Sequence, residues 1–258
     1  MSALKPFPKI QDHVYGPVLS RRLGLSLGVN LLPTERKVCS FNCGYCQLGW
    51  TRSRARTRFP KPDDVAQAVR ERLLQLRRER FELDRITFSG NGEPTDHPDF
   101  GRIVDAVVQV RDEICPTVWI SALTNGAHLD QTEVLRGLGR CDERIVKLDA
   151  GNESMFRRLN KPLAGLKLEK VVAGASRLLC VTIQTMFVTG AIDNASEEQV
   201  ESWIGQLKRI RPSWVQMYTL DRVPADSKLE PVSAMRLMEI SMRVAETCCI
   251  EPLLIIPE

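Results

Sequence analysis

Cys39, Cys43 and Cys46 lie in the stretch Val-Cys-Ser-Phe-Asn-Cys-Gly-Tyr-Cys, with three residues in the first gap and two in the second. Cysteines this close on one loop suit a [4Fe–4S] cube, whose four irons are normally all held by protein thiolates. The loop offers three, and the next cysteine, Cys115, is 69 residues further on. A cluster here would keep one iron open to a substrate or cofactor, which points to chemistry rather than electron storage. Zinc is the competing occupant. It wants four ligands, usually as two pairs, and the chain has no second Cys-x-x-Cys pair and three histidines in all. A structural disulfide is a further alternative.

The other chemistry-bearing residues fall in short polar stretches: Gly90-Asn91-Gly92-Glu93-Pro94, Thr124-Asn125-Gly126, Asp149-Ala150-Gly151 and Asp221-Arg222. Each follows an apolar, β-rich run, and these runs alternate with helical patterns. The strands are expected at Gly24 to Leu32, Arg85 to Ser89, Thr117 to Leu123, Arg144 to Leu148, Val181 to Val188 and Trp214 to Thr219. Helices are expected near Pro62 to Arg80, Asp99 to Glu113, Gln131 to Leu138, Leu168 to Leu179, Glu197 to Arg209 and Ser233 to Thr247, with a short helical turn after the fourth strand. In the first helix Val65, Val69, Leu73 and Leu76 mark one face, and Asp63 and Asp64 favour its N-terminal end.

This order predicts six βα units and a parallel sheet. Six strands are too few for a closed eight-stranded barrel, so an open (β/α)6 partial barrel is expected, with a flavodoxin-like or doubly wound sheet as the alternative. The whole chain reads as one domain: an N-terminal extension over 1–23, the six units over 24–247 and a tail over 248–258. Ligands of parallel α/β folds bind beyond the C-terminal ends of the strands, where the polar stretches and the cysteine loop all fall. Cys115, Cys141 and Cys180 each precede a strand, so they belong at the opposite end. Cys248 and Cys249 end the last helix. These five read mostly as small core residues.

Alternation puts Lys147 and Asp149 on one face of the fourth strand, and Gln184 and Met186 on one face of the fifth. Gln216, Tyr218 and Arg222, near the sixth strand, are candidates for substrate contact. His97 is an acid or base, or it joins Asp96 in starting the next helix with Pro98 near its first turn. His13 and His128 offer no constellation.

The chain has 258 residues, 43% hydrophobic and 26% charged, and a net charge of +4. That is the composition of an ordinary globular protein. No apolar run reaches the 18 residues of a membrane span, and the start lacks the apolar core of a signal peptide. A cytoplasmic location is expected, where thiols stay reduced. Residues 1–58 carry ten Lys/Arg against two acids. This basic excess ends in Arg52, Arg54, Arg56 and Arg58, either a patch for an anionic substrate or a solvated loop.

Taken together, these motifs resemble those of radical S-adenosylmethionine enzymes. The Cys-x-x-x-Cys-x-aromatic-Cys loop is matched by Cys39, Cys43, Tyr45 and Cys46. The Gly-Gly-Glu-Pro motif after the second strand appears as Asn91-Gly92-Glu93-Pro94, with asparagine in place of the first glycine. Tyr15-Gly16-Pro17, Ser20-Arg21-Arg22-Leu23-Gly24, Ser26-Leu27-Gly28-Val29-Asn30 and Leu148-Asp149-Ala150-Gly151 resemble a subgroup described as wyosine-synthase-like Fe–S oxidoreductases.

The resemblance implies a [4Fe–4S] cluster on the three cysteines, with S-adenosylmethionine chelating the open iron. One electron would break the sulfonium C–S bond, and the resulting 5′-deoxyadenosyl radical would take hydrogen from a substrate. It also implies a reductase partner such as flavodoxin or ferredoxin. The substrate is left open among a tRNA base, a peptide side chain and a small metabolite. Gly92 and Glu93 would hold the methionyl ammonium, and Tyr45 would place its backbone against the adenine or shield the cluster. Thr124, Asn125 and Lys147 would meet the cofactor carboxylate and Asp149 the ribose, with Gln184 lining the lumen beside them. The alternative from another class is a non-catalytic zinc or iron–sulfur adaptor.

Overall fold

The computed structural model describes residues 9–51 and 57–256. Arg52, Arg54 and Arg56 lie outside the described residues. Six strands run parallel and adjacent in chain order: β2 (Gly24–Val29), β3 (Arg85–Phe88), β4 (Trp119–Thr124), β5 (Glu143–Lys147), β6 (Val181–Gly190) and β7 (Trp214–Thr219). Between them run α1 (Pro62–Arg78), α2 (Phe100–Ile114), α3 (Thr132–Arg140), the short α4 (Glu153–Met155) continued by a π-turn over Phe156–Asn160, α5 (Leu168–Ala175) and α6 (Glu197–Ile210). The last helix is α7 (Ala234–Cys248). The sheet curls into an open half-barrel, the expected fold.

The two ends of the chain differ from expectation. The stretch read as an extension contains β1 (Val14–Ser20), paired antiparallel to β2, and the stretch read as a tail contains β9 (Leu253–Ile255), paired parallel to β7. A short β8 (Leu229–Pro231) pairs antiparallel with β6. Extra strands satisfy the backbone groups that an open sheet leaves at its edges. The first parallel strand also stops early, at Val29 rather than Leu32. Asn30 Oδ1 accepts the Leu32 amide at 3.2 Å and the Asn91 amide at 3.1 Å, so the chain turns where the ladder would otherwise continue.

The periodicity of α1 is local and reads directly. Pro62 opens it, Asp63 and Asp64 fill its first turn, Arg77 and Arg78 close it, and Val65, Val69, Leu73 and Leu76 are buried. The helix-facing side of the sheet forms the apolar core, including Leu27, Ile86, Ile120, Val146, Ile183 and Met217. The concave side is polar. Ser26 meets Thr87 at 2.6 Å, Arg85 Nε donates to Glu143 at 3.1 Å, and Ser121 Oγ donates to Glu143 at 2.8 Å. A lumen lined by hydroxyls, amides and paired charges is built to hold something polar rather than to be filled by packing. Among the described residues, no helix is long and apolar enough to cross a membrane.

Candidate functional site

The cysteine loop sits on the rim at the C-terminal ends of the strands and is clamped from two sides. On one side, Val38 pairs with Gly92. The Val38 amide donates to Asn91 O at 2.9 Å, and the Glu93 amide donates to Val38 O at 3.1 Å. On the other, the Asn42 and Gly44 amides donate to Asn160 O (3.0 Å) and Leu159 O (2.9 Å), and the Leu163 amide donates back to Ser40 O at 3.0 Å. The Phe41 ring meets Phe156 edge-on at 5.3 Å. The loop is thus stitched to the turn after β3 and to the π-turn after β5.

Cys39, Cys43 and Cys46 are half-buried. Burial pushes the Cys39 thiol well above its usual range, with Cys43 and Glu93 adding to the effect and Lys37 opposing it. Burial, then the Asp149 carboxylate, pushes Cys43 up to about 11. Thiols held this reluctant to ionise gain most from bound cations, which stabilise the thiolate form.

Two side-chain amides point at these sulfurs. Asn125 Nδ2 donates to Cys39 Sγ at 3.7 Å, and Asn160 Nδ2 donates to Cys43 Sγ at 3.6 Å. Hydrogen bonds to ligand sulfur are one of the levers that set a cluster's potential. Asn160 is 1% exposed, and its Oδ1 has no hydrogen-bond partner among the described residues. A buried acceptor beside a ligand thiol suits a cofactor carrying N–H or O–H groups, so the site's residues fit a cluster with such a molecule bound to it. Among the described residues, no three His, Cys, Asp or Glu side chains are gathered closely enough to hold a single metal ion.

Glu93 is buried, and its carboxylate is fully engaged. Oε1 accepts from the Thr95 amide (3.1 Å), Thr95 Oγ1 (2.6 Å) and Thr124 Oγ1 (2.7 Å), while Oε2 accepts from the Asn125 amide (2.6 Å). Burial, then the nearby Asp96, raises it to about 6 in spite of these donors. Its carboxylate therefore ties the turn after β3 to the end of β4. Thr124 and Asn125 face Glu93 and Cys39 for the same reason.

Asp149 is tied in the same way. Its side chain is fully buried. Oδ1 takes Lys147 Nζ at 2.9 Å and the Met186 amide at 2.8 Å. Oδ2 takes Asn160 Nδ2 at 2.7 Å and the Tyr45 hydroxyl. Four donors meet the carboxylate. It joins the cluster loop to the lumen, and the Tyr45 side chain belongs to that junction. Burial works against the Lys147 charge, but Asp149 and Tyr218 outweigh it and hold the ammonium above the usual lysine range.

Lys147, Gln184 and Gln216 lie in register across β5, β6 and β7. Lys147 Nζ donates to the Tyr218 hydroxyl (2.9 Å), which donates to Gln184 Oε1 (3.2 Å), and Gln184 Nε2 donates to Gln216 Oε1 (2.8 Å). Met186 lies on the same face. Arg222 is exposed beyond β7, and Arg58 is exposed past the cysteine loop.

His97 is structural. Its ring accepts the Asp99 amide at one nitrogen (3.0 Å) and donates to Pro60 O from the other (2.9 Å), just ahead of α2. His128, expected to be isolated, pairs with Asp96 at 2.8 Å. Of the remaining cysteines, Cys141 is in the core, Cys115 and Cys248 are partly buried, and Cys180 and Cys249 are exposed rather than core residues.

A model of the Radical SAM superfamily matches residues 37–207. The chain belongs to the Radical SAM superfamily. Members use a [4Fe–4S] cluster and S-adenosylmethionine. It is 30% identical over 244 residues to GTPase Obg of Brachyspira hyodysenteriae, covering 92% of this chain and 34% of that protein. It is 31% identical over 223 residues to a UPF0026 protein of Methanocaldococcus jannaschii, covering 84% and 66%. The chain thus spans about a third of the first relative and just under two thirds of the second.

Among solved structures, a radical SAM methyltransferase from Sphaerobacter thermophilus superposes with a TM-score of 0.68 at 17% identity, covering 90% of this chain and 66% of that one. TYW1 with a lysine–pyruvate adduct superposes at 0.63 and 13% identity, covering 86% and 73%. These likenesses are of fold.

Three functional residues escape a reading of the sequence. Asn160 reaches Cys43 across 117 positions. Asn91 stands where the superfamily motif has glycine, yet its buried Nδ2 donates to Ile10 O (2.8 Å) and Pro33 O (3.1 Å) and its Oδ1 accepts the Ile10 amide (3.0 Å). The departure from the motif thus anchors the N-terminal segment to the turn. Lys37 is buried beside Cys39 and donates to Gly49 O at 2.8 Å. The one local signal was Asn-Lys-Pro at a helix end, with Lys161 in the left-handed region (φ 43°). A π-turn there is itself a frequent mark of function.

Proposed function

We propose that this protein abstracts a hydrogen atom from a substrate bound in the polar lumen. The observation that carries the reading is the set of three cysteines on one rim loop, two of them receiving amide N–H groups, beside a buried acceptor with no hydrogen-bond partner among the described residues. Cys39, Cys43 and Cys46 hold the cluster. When bound, the cluster and S-adenosylmethionine supply one-electron cleavage of the sulfonium C–S bond, yielding a 5′-deoxyadenosyl radical and methionine.

The chain's own residues orient and shield that chemistry. The Gly92 backbone carbonyl would receive the methionyl ammonium, and Lys147 would direct its positive charge at the carboxylate. The Tyr45 backbone would hold the adenine, while its hydroxyl locks the loop to Asp149. Gln184, Gln216 and Tyr218 line the substrate side. A flavodoxin- or ferredoxin-type reductase supplies the electron.

The test is direct. Anaerobically reconstituted protein with a strong reductant should make 5′-deoxyadenosine from S-adenosylmethionine. Cluster-replete protein that binds S-adenosylmethionine yet releases none, even with trial substrates, would overturn the reading.

For the substrate, a tRNA base is the finer proposal. Lys161 Nζ lies 4.2 Å from the centre of the Trp50 ring beside the cluster loop, and Arg58 is exposed. An aromatic with cations at the rim suits a splayed base and its backbone. Transfer RNA binding should then weaken steeply between low and physiological salt. A salt-insensitive complex would instead favour a peptide or metabolite.

A further inference from the structure

The half-barrel has one flank that its parallel strands do not close, and the turn between β1 and β2 reaches across it. Arg21 Nη2 pairs with Asp221, just past β7 and 200 residues away, at 2.5 Å. The next residue, Arg22, is half-buried, and its guanidinium carbon lies 4.6 Å from the centre of the Tyr218 ring. Lys147 Nζ lies 4.8 Å from the same ring. Two cations therefore share one aromatic side chain at the mouth of the lumen.

Their partners differ. Lys147 has Asp149, Arg21 has Asp221, and Arg85 deeper in the lumen has Glu143. Among the described residues, Arg22 has no carboxylate partner and its guanidinium makes no hydrogen bond. The ring offsets part of its charge but accepts none of its five N–H groups. A planar fork fixed by stacking, withdrawn from part of its water and lacking an acceptor, matches the paired oxygens of a carboxylate or phosphate. A latch alone would not need this residue, because Arg21 already makes the cross-flank ion pair.

We propose that Arg22, stacked on Tyr218, is the recognition site for an anionic group of the substrate, a carboxylate or a phosphate. The inference deepens the radical-enzyme reading and rests on it for the lumen being the substrate chamber. Arg22 reads the anion, Tyr218 orients the guanidinium, and Lys147 adds positive potential from the far side of the ring contact. A substrate lacking an anionic group would leave this cation without a partner, so the site selects as well as binds.

The test uses cluster-loaded wild-type protein with S-adenosylmethionine. Each arginine is labelled with phenylglyoxal and read by peptide mass spectrometry, without addition, with inorganic phosphate, or with acetate. Labelling of Arg22 should slow several-fold with at least one anion, while Arg78, exposed on α1, keeps its rate. Protection by phosphate alone assigns a phosphoryl group, protection by acetate alone a carboxylate, and protection by both an anion of either kind.

Calorimetric titration of phosphate and of acetate gives a second readout. R22Q should weaken binding of the protecting anion roughly tenfold or more, and R22K should fall between R22Q and wild type because it keeps the charge but loses the fork. Equal rates at Arg22 and Arg78 under every condition, or R22Q binding the anion as wild type does, overturns the proposal. Formation of 5′-deoxyadenosine in the same wild-type sample separates the two failures. Without it the radical reading falls, and with it a negative labelling result removes only the anion site.

Discussion

Serine in place of any one of Cys39, Cys43 or Cys46 should leave reconstituted protein well short of the roughly four irons and four sulfides of a full cluster and without detectable 5′-deoxyadenosine. Three thiolates are the fewest that can hold three corners of the cube while the fourth stays open. No other cysteine can replace a lost one. Cys141 is sealed in the core, its thiol pushed up to about 12 by burial, and Cys180 precedes β6 on the exposed opposite end of the sheet. C180S therefore serves as the control and should keep full iron, sulfide and turnover. Iron and sulfide analysis of the anaerobic protein decides the matter. A single rim variant that retains the complete cluster would mean that the ligands are assigned wrongly.

Gly92→Ala should be the most damaging single methyl in the protein. Gly92 has φ +142°, and a Cβ built on it would lie 1.6 Å from the Val38 carbonyl oxygen. That oxygen is backbone, one residue before Cys39, and it accepts the Glu93 amide. No side-chain rotation relieves the clash, so either the turn leaves its conformation or the cysteine loop moves away. Adding strained backbone to a lost backbone pairing, the expected cost is about 3 kcal/mol or more. Cluster loading should fall even at temperatures where the variant stays folded. Thermal melting followed by circular dichroism, together with iron content, tests both parts. A variant that melts with wild type and loads normally would show that the pairing of Val38 with Gly92 does not position the loop.

Much of the architecture was legible because it is local. The six strands alternate with helices whose apolar positions recur with helical spacing, as Val65, Val69, Leu73 and Leu76 do in α1. Turn residues gather at strand ends because parallel strands release the chain there, which placed the polar stretches on one rim. The edges were not legible. β1 carries Gly16 and Pro17 and β9 is three residues long, and they are strands because an open sheet offers them unpaired backbone groups. Nothing in their own composition demands it.

The sequence by itself determined the cysteine triplet, the Gly-Glu-Pro turn and the order of six βα units, since spacing and periodicity are properties of neighbouring residues. Only the tertiary structure decided what those groups touch. Glu93 is bound by β4, and Asp149 is held by Tyr45, Lys147, Asn160 and the Met186 amide. Asn160 reaches Cys43 through a π-turn, and Arg22 lies on Tyr218 across the open flank. All but the Lys147–Asp149 pair join residues well separated along the chain, and they follow from how tightly the sheet curls and how its strands are staggered. Curl and stagger are set by the packing of all the helices at once, so no short stretch of the chain encodes them.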